Sequence, residues 1–97
     1  MPGELSDAKP VVPKIQQLTD KMKSEIEAKE NKTYSVFKAV EYKTQVVAGT
    51  NIFIKVQGDP NEFLHLRVFE PLPQENRRPS LTSYQIGKTA SDPLNYF

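Results

Sequence analysis

A single amphipathic helix followed only by strand and turn patterns is the feature that most restricts how this chain can fold. Four apolar residues early in the chain recur at spacings of three and four, namely Ile15, Leu18, Met22 and Ile26. This spacing places them on one face of a helix. Pro13 suits the first turn, because the N–H that proline lacks is unused there, and Asn31 suits the end. We predict a helix over residues 13–30 that needs a sheet to lie on.

Alternating apolar residues predict four strands after this helix. The predicted strands cover residues 34–44, 52–56, 63–69 and 81–86. Around the first strand, five residues of one parity are predicted to share a face, namely Tyr34, Val36, Val40, Tyr42 and Val46. His65, the one histidine of the chain, is predicted to be a solvent-facing or packed strand residue. A helix and an antiparallel sheet in this order indicate the α+β class.

The hairpin between the first two strands carries apolar residues where a polar turn is usual. Gly49, Thr50 and Asn51 are predicted to form its tip. Residues 46–48, Val-Val-Ala, lead directly into this bend. Loop tips normally lie at the surface and are polar. An apolar tip without a core to enter therefore indicates a surface that docks into a partner.

Three partly apolar segments are predicted to meet at one end of the sheet. In an antiparallel meander alternate turns share an end, which puts the first hairpin tip beside the second loop, residues 71–79. Residues 1–12 are predicted to form an extended arm, whose span of about 35 Å is enough to reach the same end. We call the three segments together the wedge: residues 2–5, 46–49 and 72–74.

Composition excludes several other functions. The chain has 97 residues, which predicts one domain. Its 13 Lys and Arg residues nearly balance 12 Asp and Glu, and a net charge of +1 argues against a nucleic-acid or anionic-membrane partner. Cysteine is absent, and the scattered polar residues form no pattern for a metal site, a cofactor or an enzymatic centre. Since the sequence shows neither a membrane-spanning stretch nor a signal peptide, we expect a cytosolic protein.

A family resemblance is carried by Gly3, by Gln45-Val46-Val47-Ala48-Gly49 and by Leu72-Pro73. With residues 36–40, 49–51 and 65–69, these make nearly the whole chain resemble the stefins, the single-domain type 1 cystatins. The resemblance implies a cystatin-like fold, an antiparallel four- to five-stranded β-sheet wrapped around one α-helix, with residues 1–97 as one domain. It also implies reversible, competitive, tight-binding inhibition of papain-like cysteine proteases such as papain and cathepsins L, S, H and B.

The same resemblance implies a role for each part of the wedge. Gly3 turns the arm away from the protease nucleophile, the first hairpin covers the centre of the cleft, and Leu72-Pro73 press on its primed side. The implied protease-binding residues are Gly3, Glu4, Gln45, Val46, Val47, Ala48, Gly49, Leu72, Pro73 and Gln74. Glu4 and Gln74 depart from the residues that stefins usually carry. Because Glu4 puts a charge beside Gly3 and only Met1 and Pro2 precede that glycine, we expect weaker binding by the arm than in the best family members.

A non-inhibitory interaction protein of the same fold is the alternative. Val46 and Val47 are β-branched residues beside a tight turn, which makes the first hairpin a candidate hinge for strand exchange between two copies. Opening the hairpin would straighten the inhibitory loop, so a domain-swapped dimer is expected to be inactive. Otherwise we expect a protein that is mostly monomeric.

Overall fold

One helix lies on one face of a five-stranded antiparallel sheet. A computed structural model describes residues 4–97 of the protein. Its elements are β1 Lys9–Pro10, α1 Pro13–Glu30, β2 Lys38–Val47, β3 Gly49–Gln57, β4 Phe63–Glu70, a 3₁₀ turn Pro73–Glu75, and β5 Ser80–Lys88. The strand order in the sheet, β1-β2-β3-β4-β5, is the order in the chain. This arrangement confirms the predicted α+β class with one helix against an antiparallel sheet.

Helix α1 begins at a proline and ends at a left-handed asparagine. Pro13 is its first residue, where the absent N–H leaves no bond unmade. Asn31 follows Glu30 with φ 53°, a conformation that asparagine tolerates, and its N–H donates to the carbonyl oxygen of Glu27. The apolar spacing read from the sequence becomes a buried stripe of Ile15, Leu18, Met22 and Ile26, joined by Thr19.

The core lies between this stripe and the two central strands. The side chains that β3 and β4 turn toward the helix are all buried, namely Ile52, Ile54, Val56, Leu64, Leu66 and Val68. Burying an aliphatic side chain of this kind stabilises the fold by roughly 1.5–3 kcal/mol. The helix therefore holds the middle of the sheet, and the two ends of the sheet carry the connections.

The first long strand starts later than the sequence predicts. It begins at Lys38 and runs to Val47, whereas residues 34–37 lie outside any strand. Their backbone groups bond side chains instead: Tyr34 N–H donates to a Glu27 carboxylate oxygen over 2.7 Å, and Ser35 N–H donates to Asp59 over 2.8 Å. The prediction of a strand from residue 34 was wrong because local carboxylates replace the sheet ladder there.

A β-bulge interrupts the predicted alternation of faces in this region. The pairing of β2 with β3 shifts between Ala39 and Glu41, so Val40 is an extra residue, and Ala39 before the bulge and Tyr42 after it both face the core. Val36 and Val40, predicted to share a face with Tyr34, are exposed at 39% and 41%, whereas Tyr34 and Ala39 are buried. The prediction of one common face for these residues was therefore wrong.

The chain's last residues cover the face of the sheet opposite the helix. Phe53 is fully buried there, with the rings of Tyr96 and Phe97 at 5.8 Å and 5.7 Å between centroids. Arg67 Nη1 donates to the main-chain oxygen of Phe97 over 2.8 Å and its guanidinium lies 4.8 Å from the Tyr96 ring. Lys55 extends this layer, since its ammonium donates to the Ala90 carbonyl over 2.9 Å.

His65 is packed within this second layer, which is one of the two positions predicted for it. Its side chain is 1% exposed, and its Nε2 has no hydrogen-bond partner among residues 4–97. Burial, followed by the charges of Lys88 and Lys55, lowers the pKa of His65 to about 4; Asp92 and Glu41 oppose the shift. The imidazole is therefore neutral at pH 7.

Within the described residues, no helix is long and apolar enough to cross a membrane.

Candidate functional site

The two hairpin connections of the site lie side by side at one end of the sheet. Thr50, just after the first hairpin tip, pairs with Glu70, the last residue of β4. The second loop, residues 71–79, therefore begins next to the first hairpin. The turn between β3 and β4 lies at the opposite end of the sheet, as the antiparallel order requires.

The N-terminal arm runs along the outer edge of β2 toward the same end. Ser6 N–H donates to the Thr44 carbonyl over 2.8 Å, and Ser6 Oγ accepts from Thr44 N–H over 2.9 Å. Further along the arm, β1 pairs with β2 at Lys9 and Tyr42, so the predicted extended arm contains a short strand. Gly3 lies outside the described residues.

The first hairpin is tighter than the sequence predicts. Val47 and Gly49 pair directly, which leaves Ala48 alone at the tip. Thr50 and Asn51, predicted as turn residues, belong to β3. This prediction was wrong because polar residues of this kind are frequent in turns, whereas Asn51 is buried within the strand pairing.

A buried hydrogen bond joins the two strands below the tip. Gln45 and Asn51 face each other across the hairpin, and Asn51 Nδ2 donates to Gln45 Oε1 over 2.8 Å. Because both side chains are less than 10% exposed, at 9% and 7%, they hold the hairpin together and do not form its outer surface. The amide pairing could have been found in the sequence, since an Asn six residues after a Gln is cross-strand to it in a one-residue hairpin.

The apolar residues of the tip are exposed to solvent. Val46 is 69% exposed and Val47 is 41% exposed, although both are β-branched residues paired in a strand. Ala48, between the two strands, is also exposed. Aliphatic side chains held out on a rigid backbone form an apolar projection that no part of the described chain covers.

Gly49 allows this hairpin to lie directly on the end of β4. Its φ is +119°, a conformation that side chains rarely adopt. A β-carbon at this position would lie 2.7 Å from the Glu70 carbonyl oxygen and 2.8 Å from Cζ of Phe69. Any other residue at position 49 would therefore push the first hairpin away from the second.

The second loop closes on itself directly after it leaves β4. Leu72 is half-buried, and its carbonyl accepts from Glu75 N–H over 3.0 Å, which forms the short 3₁₀ turn. Pro73 and Gln74 are exposed on this turn. Asn76 ends it in a left-handed conformation with φ 52°. The turn gives the second loop a defined shape beside the apolar tip.

An ion pair that the sequence did not predict lies behind the two loops. Lys14 Nζ is 3.0 Å and 2.8 Å from the two carboxylate oxygens of Glu70. Both residues line a depression between the hairpins, together with Gly49, Leu72 and Pro73. Their sequence separation of 56 gives no local signal that they meet.

Within residues 4–97, no three His, Cys, Asp or Glu side chains come together as a metal site would require. The one histidine is buried in the layer beneath the C-terminal residues and does not face the loops. This end of the sheet exposes the apolar side chains of the first hairpin beside the 3₁₀ turn of the second loop.

Comparison with known proteins identifies the family. The sequence model described as "Cystatin domain" matches residues 3–91. The chain belongs to the cystatin family. Cystatin-B of Sus scrofa is 57% identical to this cystatin over 97 residues, covering 100% of this chain and 99% of that protein. Cystatin-A of Homo sapiens is 50% identical over 97 residues, with the same coverage. Stefin-C of Bos taurus is 52% identical over 95 residues, covering 98% of this chain and 94% of that protein. The family predicted from the sequence is confirmed.

The structure separates the predicted site residues of this cystatin into two groups. The exposed group, which can touch a partner, comprises Glu4, Val46, Val47, Ala48, Pro73 and Gln74. Gln45, Gly49 and Leu72 are buried or half-buried and support the loops from behind. Three residues that were not predicted as site residues also support the loops, namely Asn51, Lys14 and Glu70.

Proposed function

We propose that this cystatin is a reversible, competitive, tight-binding inhibitor of papain-like cysteine proteases and that its wedge fills their active-site cleft. The observation that carries the proposal is the first hairpin, which exposes apolar side chains on a backbone that is paired up to the tip. Membership in the cystatin family supports the same conclusion, because the family is one of protease inhibitors and not of enzymes.

The hairpin suits inhibition because it is already ordered before it binds. Backbone pairing of Val47 with Gly49 leaves little conformational freedom to lose on docking, so more of the contact energy appears as affinity. The exposed Val46 and Val47 side chains each gain from leaving water, at roughly 25 cal/mol per Å² of apolar area buried. A hairpin tip of one residue also offers no extended peptide for the protease nucleophile to cleave.

The other two segments of the wedge extend the contact on either side. On this proposal Pro73 and Gln74, which lie on the 3₁₀ turn, press on the primed side of the cleft. The arm is bonded to β2 at Ser6 and leads Glu4 toward the hairpin end of the sheet, and on this proposal the arm occupies the non-primed side. The charge of Glu4 must be desolvated if it enters the cleft, so the arm contributes less than the hairpin does.

The test is a titration of active papain with the purified protein in a fluorogenic substrate assay. Stoichiometric inhibition that excess substrate relieves, with the inhibitor left uncleaved, is the expected result. Val47→Asp is expected to weaken inhibition about 100-fold or more, because a buried carboxylate would lack a partner in an apolar contact.

Val40→Asp is the matched control, since Val40 and Val47 are both 41% exposed and only Val47 belongs to the wedge. This control is expected to inhibit like the unaltered protein. Equal losses from the two substitutions would refute the wedge as the binding surface. A folded, monodisperse protein without any inhibition of papain would refute the proposed function itself.

The proposal extends to the targets, the location and the active form of the protein. The proposed targets are cathepsins L, S, H and B, the proposed location is the cytoplasm, and the proposed active form is a monomer. The first hairpin is the proposed hinge for strand exchange, because Val46 and Val47 already have strand geometry at the turn. A purified dimer is expected to inhibit poorly, and inhibition equal to the monomer per subunit would contradict that role for the hairpin.

A further inference from the structure

Glu70 is the residue at which three parts of the molecule meet. Its backbone pairs with Thr50 beside the first hairpin tip, and its carbonyl oxygen faces the position where Gly49 lacks a side chain. Its carboxylate binds Lys14 through both oxygens, at 3.0 Å and 2.8 Å. The second loop starts at the next residue, Pro71. The placement of Glu70 thus bears on both hairpins at once.

A lysine at position 14 is unfavourable for helix α1 itself. It is the second residue of α1, where the partial positive charge of the helix N-terminus disfavours a cation. An ion pair with 61% of the lysine side chain exposed also adds little to overall stability. Helix formation and folding stability therefore do not account for a lysine at this position. Its contact with the end of β4 does.

We propose that Lys14 and Glu70 are positioning residues, which fix the second loop of the wedge relative to the first hairpin by tying the end of β4 to the helix. The proposal rests on the proposed inhibitory function. The pair lines the depression between the hairpins together with Leu72 and Pro73, so its loss would allow this loop to move against the Gly49 hairpin. A loop that must be ordered again on docking binds more weakly.

The expected effect is moderate and specific to binding. Glu70→Gln keeps the size of the side chain and removes its charge, and we expect papain to bind about fivefold more weakly, mainly through faster dissociation. Lys14→Gln is expected to have the same effect. The double variant is expected to be no weaker than either single variant, because both remove one interaction.

The chain offers a matched control at the opposite end of the sheet. Lys32 pairs with Glu62, joining the segment after the helix to the turn between β3 and β4, and the glutamate is as exposed as Glu70, at 27%. Glu62 also accepts a hydrogen bond from the Tyr34 hydroxyl over 3.4 Å, so Glu62→Gln is expected to lower stability at least as much as Glu70→Gln and to leave papain inhibition unchanged. The exchanged pair Lys14→Glu with Glu70→Lys is expected to restore inhibition.

Two measurements keep this proposal separate from the proposed function. Papain dissociation constants would be measured for all variants, with urea unfolding as the stability reference. Amide hydrogen exchange at Glu75 and Asn76, whose N–H groups close the 3₁₀ turn, would report directly on the order of the loop. Faster exchange is expected in Glu70→Gln and not in Glu62→Gln.

The outcomes are distinct. If Glu70→Gln and Glu62→Gln inhibit equally and exchange equally, the positioning role is overturned. If Lys14→Gln and Glu70→Gln add in the double variant, or the exchanged pair fails to recover, Glu70 acts by touching the protease and the positioning role is again overturned. If the unaltered protein does not inhibit papain, the proposed function fails, and the exchange comparison still decides whether the pair orders the loop.

Discussion

Gly49→Ala is the substitution that tests the geometry of the site most directly. The added methyl group would meet the Glu70 carbonyl oxygen at 2.7 Å and the Phe69 ring at 2.8 Å, where ordinary contacts are 3.4–4 Å. The φ of +119° adds backbone strain of about 1–3 kcal/mol, and forcing a methyl into occupied space adds a further 1–3 kcal/mol or so. We expect a loss of about 3 kcal/mol in unfolding free energy. Inhibition of papain is expected to fall by more than tenfold, because the hairpin must move away from the second loop.

Gly87→Ala provides the control for backbone strain alone. Gly87 also has a positive φ, of +72°, but a β-carbon there would meet nothing within 4 Å. We expect it to cost about 1 kcal/mol in urea unfolding and to leave inhibition unchanged. If Gly49→Ala and Gly87→Ala lose the same stability and inhibit alike, then the close approach of the hairpin to β4 does not shape the binding edge.

Three further predictions concern the parts that hold the sheet together. His65 has a pKa near 4 when folded against 6.5 unfolded, so stability is expected to fall by roughly 3 kcal/mol as the pH drops from 6.5 to below 4. Urea unfolding across this pH range should show a smaller fall in unfolding free energy for His65→Leu than for the unaltered protein. The same pH dependence in both proteins would contradict the low pKa of His65. Phe97→Ala uncovers Phe53 and is expected to lower the unfolding free energy by about 2 kcal/mol without changing papain inhibition. Weaker inhibition at unchanged stability would contradict a purely structural role for Phe97. Asn51→Ala removes the buried hydrogen bond to Gln45 and is expected to lower the unfolding free energy by about 1 kcal/mol and to weaken papain inhibition. Unchanged stability and inhibition would show that this bond does not hold the hairpin.

The sequence predicts the helix and the central strands well because their signal is burial itself. The repeat of Ile15, Leu18, Met22 and Ile26 is the buried stripe, and the alternation in β3 and β4 is the buried face. In these elements every apolar residue that fits the period has a core to enter. The period of the apolar residues therefore identifies the buried residues directly. The boundaries of α1 follow from Pro13 and Asn31.

The sequence fails where the structure depends on a single backbone choice or a distant contact. Val40 is as apolar as its neighbours, and only the bulge between Ala39 and Glu41 puts it in solvent. Tyr96 and Phe97 follow no periodic pattern, since what they cover is a strand far back in the chain. The candidate site shows the same division: the apolar hairpin tip could be predicted to lie at the surface, whereas the contact of Lys14 with Glu70 behind it could not.

The exposed tip has a consequence for reusing this molecule as a scaffold. Val46, Val47 and Ala48 project into solvent and contribute nothing to the core, whereas Gly49 and the Gln45 amide pairing keep the hairpin in place. A combinatorial library randomised at residues 46–48, with the supporting residues kept, should therefore yield mostly folded variants. Such a library separates the choice of target from the survival of the fold, and new binding specificities could be selected from it without first repairing stability.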